Sequence, residues 1–126
     1  MPVQHSDFAA SAARYANESG EVDWRNACSR GYYAAYHASR IACEASSSSG
    51  HFKSAGYQHA ALIKSLLHFP VGPAQTLARS VGYVLSDMKR RREIADYNIN
   101  SPFRQTEAMQ QLEMYKKLDA KVRTLP

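Results

Sequence analysis

The chain has 126 residues, a formal charge of +5 and a pI of about 9.4. That is the size of one domain, spanning 1–126 and able to bury about two-thirds of its unfolded surface. The basic excess favours polyanionic partners such as nucleic acid. No apolar stretch approaches the ~20 residues of a membrane span, and the opening MPVQHSDF lacks the basic start and apolar run of a secretory leader. A cytoplasmic protein without membrane contact is the expectation.

The elements read as helices throughout, because no segment shows sustained alternation of β-branched residues and no Asn-Gly or Asp-Gly hairpin signal occurs. A first helix is predicted from Ser6 or Asp7 to Asn17, with Phe8, Ala12 and Tyr15 as its apolar stripe and Ser19-Gly20 as its stop. A second starts near Asp23, a good N-cap, and runs to Ala45. Ser46–Ser49 and Gly50 read as a loop. A third helix covers Gly56–Phe69 and ends at Pro70-Val71-Gly72-Pro73. A fourth starts at or just after Pro73 and runs through Lys89-Arg90-Arg91-Arg92 to Tyr97. Asn98–Pro102 is a turn. A fifth spans Phe103–Arg123, with Ala108, Leu112, Tyr115, Leu118 and Val122 on one face. The fold class is therefore all-α, an up-and-down antiparallel bundle of about five helices with the second and fourth at its centre.

Cys28 and Cys43 fall on one predicted helix, 15 residues and about 22 Å apart at ~1.5 Å per residue. A disulfide needs Cα atoms within about 7 Å, so the two cannot pair. Free thiols suit a reducing compartment.

Two stretches carry the candidate chemistry. In SRGYYAAYHASR, residues 29–40, Arg30, Tyr33, His37 and Arg40 share one helix face within about 80° at ~100° per residue. Gly31, Ala34, Ala35, Ala38 and Ala42 let another backbone approach. The tyrosines fit either a packed seam with hydrogen-bonded hydroxyls or the wall of an anion site. In the fourth helix, Leu77, Val81, Val84, Leu85 and Met88 form the core stripe. Extending that stripe by four places Arg92 on the buried face, with Asp96 one turn on as its partner. A buried guanidinium needs such a partner, so the pair is either a structural ion pair or part of an anion pocket. Lys89, Arg90 and Arg91 read as a solvated basic face, or as a patch that binds nucleic acid through charge alone. The five histidines (His5, His37, His51, His59 and His68) show no metal-ligand spacing, and there is no Gly-rich phosphate loop or CxxC motif. No metal or cofactor is expected.

The segment Arg25-Asn26-Ala27-Cys28-Ser29-Arg30-Gly31-Tyr32-Tyr33-Ala34-Ala35-Tyr36-His37 resembles the R-x-A-x-S-R-x-Y-Y-A-x-Y-H signature of HEPN-domain proteins. Arg92-Glu93-Ile94-Ala95-Asp96-Tyr97 resembles the R-x-x-A-D-Y signature that closes the fourth helix in the same branch. The resemblance covers Phe8 to Val122. It implies a small antiparallel bundle that forms a homodimer and acts as a metal-independent ribonuclease on RNA. It also implies a toxin paired with a minimal nucleotidyltransferase antitoxin, or a phage-defence component. Some such proteins instead bind a nucleotide or a partner protein without cleaving anything. The family separates its catalytic arginine from the following histidine by four to six intervening residues. Here Asp96 and Tyr97 follow Arg92, and only Arg30–His37 has the bare spacing. The site implied is Arg30 and Arg92 on phosphate, His37 as proton donor or acceptor, and Asp96 and Tyr97 orienting the arginine. Tyr33, Arg91 and Arg40 would join Tyr97 in contacting substrate.

Overall fold

The computed structural model describes residues 2–126. They form six helices: α1 (His5–Ala16), α2 (Glu21–Ala45), α3 (Ser49–Ala55), α4 (His59–Leu67), α5 (Gln75–Tyr97) and α6 (Gln105–Val122). No strand occurs among the described residues. The bundle is all-α, as the periodicity indicated. α2 is its axis and packs on α1, α5 and α6, while α4 covers α5. Cross-contacts give the directions. Arg25 meets Ala95 and Tyr33 meets Arg92, so α2 and α5 are antiparallel. Lys121 reaches Ser80 and Arg91 reaches Gln110, so α5 and α6 are antiparallel too. α6 therefore runs parallel to α2.

The helix count and several boundaries differ from expectation. α2 begins at Glu21 after Gly20, not at Asp23. Trp24 Nε1 donates to the Glu18 carbonyl at 2.8 Å, which folds the Ser19-Gly20 stop against the new helix. The expected Ser46–Gly50 loop is cut short by α3. Its Phe52 is fully buried and stacks near Phe69 with ring centroids 5.7 Å apart, so one core aromatic draws a polar segment into a helical turn. Gly56 is not a helix start. It closes α3 at φ +97°, a left-handed conformation that glycine adopts without steric penalty. α4 then begins at His59.

Two buried polar side chains hold the long helices in register. Arg25 is 8% exposed. Its NH1 donates to the carbonyls of Ile94, Ala95 and Asn98, and its NH2 to that of Ser101 at 2.5 Å. These carbonyls lie at the end of α5 and in the turn after it; those of Ile94 and Asn98 also accept the amides of Asn98 and Ser101. The guanidinium also lies over the Phe103 ring, 5.2 Å from its centroid, and Glu21 accepts the Phe103 amide at 2.7 Å. Gln111 is fully buried, and its Nε2 donates to the carbonyls of Cys28 and Met88. Gly31 makes room for it, since a Cβ there would stand 3.1 Å from Gln111 Cγ. Cys28 and Cys43 are both free and buried, and desolvation pushes each thiol up to about 12.

Arg25→Ala is expected to lower the unfolding free energy by about 3 kcal/mol in urea titrations, because it strips a charged donor from several carbonyls at once. Arg25→Lys should restore less than half of that, since a single ammonium cannot reproduce the planar fork.

Candidate functional site

Arg92 projects from α5 toward α2, where Tyr32 and Tyr33 face it. Arg92 NH2 donates to the Tyr33 hydroxyl at 2.9 Å. Its guanidinium carbon lies 5.5 Å from the Tyr33 ring centroid and 5.9 Å from those of Tyr32 and Tyr97. Asp96, one turn along, stands 3.3 Å from Arg92 Nε. That contact is an ion pair by distance but is not aligned as a hydrogen bond, and the buried Nε–H has no acceptor. Asp96 also takes a long hydrogen bond from Ser29 Oγ at 3.3 Å. The Tyr33 hydrogen bond, and then the charge of Asp96, hold Arg92 still more firmly in its charged state.

The histidine that the fold brings to this cluster is His59, the first residue of α4. Its Nδ1 is 2.5 Å from the Tyr32 hydroxyl, and its ring stacks on Tyr36 with centroids 3.9 Å apart. Tyr33 meets the same imidazole edge-on. Burial and then the positive charges of Arg92, Lys89 and His37 hold His59 below its ordinary value of 6.5. Burial also pushes the Tyr32 hydroxyl well above the usual range for tyrosine, so it stays protonated. Tyr36 closes the wall by donating its hydroxyl to the Tyr57 carbonyl.

The other expected residues are distributed around this centre. His37 lies one turn beyond Tyr33 and stacks on Phe8 of α1, with ring centroids 5.3 Å apart. No hydrogen bond joins it to Arg92 among the described residues. It too is held below 6.5, by burial first and then by Arg40 and His5. Arg30 is exposed and has no ion pair or hydrogen bond among the described residues. Arg40 pairs with Glu44 at 2.7 Å and lies over the Tyr57 ring, away from Arg92. Arg91 turns toward α6. It bonds Asp87 and Gln110 and lines a separate cavity of about 280 Å³ beside Cys28. Tyr97 is 73% exposed at the end of α5. The structure therefore brings together Arg92, Asp96, Tyr33 and Tyr97 from the expected set. It adds Tyr32, Tyr36 and His59, leaves His37 at the edge of the wall, where it meets Tyr36 edge-on with ring centroids 5.1 Å apart, and sets Arg30, Arg40 and Arg91 away from Arg92. Nothing local marked His59. It is one of five histidines without motif spacing, 33 positions before Arg92, and only the packing of α4 on α5 makes them neighbours.

Among the described residues, no three His, Cys, Asp or Glu side chains stand close enough to share a metal ion, and no helix is long and apolar enough to cross a membrane. Compared with known proteins, the chain matches no family model, no curated protein and no solved structure.

His37 and His59 give the fold a pH dependence of definite sign. Their native values lie below 6.5, so the unfolded chain takes up protons first as the pH falls. Native stability from these groups is complete above 6.5 and declines below it. The urea midpoint is expected to drop between pH 7.5 and pH 5.5, and His37→Gln/His59→Gln should flatten that drop.

Proposed function

We propose that this chain is a HEPN-type protein that acts on RNA at the face where α2, α4 and α5 meet, as a metal-independent ribonuclease. The observation that carries this reading is the convergence of a charged arginine and a neutral imidazole on one tyrosine pair, Tyr32–Tyr33. Arg92 spends one hydrogen bond on the Tyr33 hydroxyl, and its contact with Asp96 is loosely aligned, so its guanidinium retains terminal donors for a phosphate oxygen. An imidazole held below 6.5 is unprotonated at neutral pH and can act as a base. In this mechanism His59 takes the proton of a ribose 2′-hydroxyl, and the 2′-oxygen attacks the adjacent phosphorus. The bond to the 5′-oxygen breaks, and that oxygen is protonated as it leaves. The products are a 2′,3′-cyclic phosphate and a 5′-hydroxyl. Arg92 stabilises the charge on the phosphorane. His37, one turn along α2, is the second candidate for proton exchange, and exposed Arg30 and Tyr97 are candidates for contacting the strand. The homodimer, the toxin or phage-defence setting and the nucleotidyltransferase partner belong to the same reading and rest on the two signatures.

A second reading is a module that binds a nucleotide or a partner without cleavage. It is favoured by the partners already present, since Asp96 stands beside Arg92 and Tyr32 engages His59 Nδ1.

End-labelled RNA incubated with purified protein in EDTA tests the two. The ribonuclease reading expects cyclic-phosphate products from wild type, and a loss of about 100-fold or more in His59→Ala and Arg92→Lys at matched melting temperature. Retained RNA binding without cleavage in all three proteins would leave the binding module standing instead.

A further inference from the structure

Along the outer seam of α4 and α5 runs an open groove of about 380 Å³. Its floor is apolar, made by Ala60, Ile63 and Leu67, and its rim is basic. Lys64 and His68 stand on the α4 side, and Lys89 and Arg90 on the α5 side. The one acid lining it, Glu93, pairs with Lys89 at 3.2 Å, and Arg90 pairs with Asp87 outside the groove. Lys64 is exposed and has no ion pair among the described residues. The groove does not continue past Gly82, where the helices touch. A Cβ there would come within 3.0 Å of Leu66 Cβ and Leu67 Cδ2. Its opposite end, at Ala60 and Glu93, lies around the helix surfaces from His59 and Arg92, near enough for the Glu93 charge to be felt at Tyr32. The charge of Lys89 is felt at His59, so rim and cluster share one electrostatic environment.

We infer that this groove is the track for the strand on one side of the phosphate held at Arg92, and that it accepts single-stranded rather than duplex RNA. The inference rests on the phosphate-handling reading of Arg92 and extends it along α4. An apolar floor between two cationic rims suits sugar and base edges below and phosphates at the sides. An open groove on one helix seam accommodates one chain, not a paired helix. Lys64 and Arg90, on opposite rims, carry the flanking phosphates, and the Gly82 contact limits how far the strand extends.

Fluorescence anisotropy with a labelled, non-cleavable 2′-O-methyl RNA 10-mer tests this across a salt series. Each phosphate contact on a single strand contributes about 0.7 to the slope of log K against log salt. Lys64→Ala is expected to reduce the slope by about 0.7 and Lys64→Ala/Arg90→Ala by about 1.4. Lys64→Glu should weaken binding more than 10-fold, while Lys117→Ala on α6 leaves it unchanged. Duplex of the same sequence and a poly-aspartate peptide should compete poorly. If wild type binds and Arg92→Lys or Tyr33→Phe weakens it, but Lys64 and Arg90 variants match wild type, the groove inference falls while the Arg92 reading stands. Equal weakening by Lys117→Ala, or equal competition by poly-aspartate, overturns it in favour of diffuse charge. No binding by wild type at low salt overturns both the groove and the phosphate reading.

Discussion

The end of α5 is the point on which the arrangement hangs. A helix terminus leaves carbonyls without partners, and a buried one must find donors. Arg25 supplies them from α2, with its charge placed at the negative end of the α5 dipole. The bond fixes the register of the two longest helices against each other. With Arg25 locked to the end of α5, Ser29 and Tyr33, one and two turns further along α2, meet Asp96 and Arg92, which stand one turn apart on α5. A slip of α5 by one residue would rotate Arg92 by about 100° out of the tyrosine wall. The first arginine of the α2 signature is thus a structural residue that positions the second signature.

The tyrosines combine the two roles that their composition left open. Tyr32 is fully buried and Tyr36 nearly so, and their rings pack in the main core. Their hydroxyls nevertheless reach the edge and engage His59 and the Tyr57 carbonyl. Tyr33 is the outermost and presents its hydroxyl to Arg92. Small residues between them allow this. Gly31 admits Gln111 on the opposite side of α2, so α6 packs closely there while the tyrosine side faces α4 and α5. One helix therefore carries a tight seam on one side and a polar aromatic wall on the other.

Electrostatically the wall holds paired charges around two neutral imidazoles. Arg92, Lys89 and Arg40 lie on or beside it, and each has an acid partner: Asp96, Glu93 and Glu44. Burial first, and then the neighbouring cations, make each imidazole give up its proton readily, so both His37 and His59 are depressed.

Local pattern alone determined the all-helical class, the long central helices, the inward direction of Arg92 and its pairing with Asp96. Each of these depends on residues within one or two turns, where the 3.6-residue period settles which side chains share a face. α3 escaped that reading because Phe52 is a single apolar residue among serines and small residues, and its pull comes from Phe69 and the distant core. Arg25 stood in view within a signature, but its partners lie 69 to 76 positions away. His59, Arg91 and Gln111 were undecidable for the same reason. A histidine beside an arginine, an arginine turned toward α6 and a glutamine bridging two helices are all consequences of how whole helices cross. Only the tertiary structure decides these contacts, because side chains far apart in the chain become neighbours through packing and not through spacing.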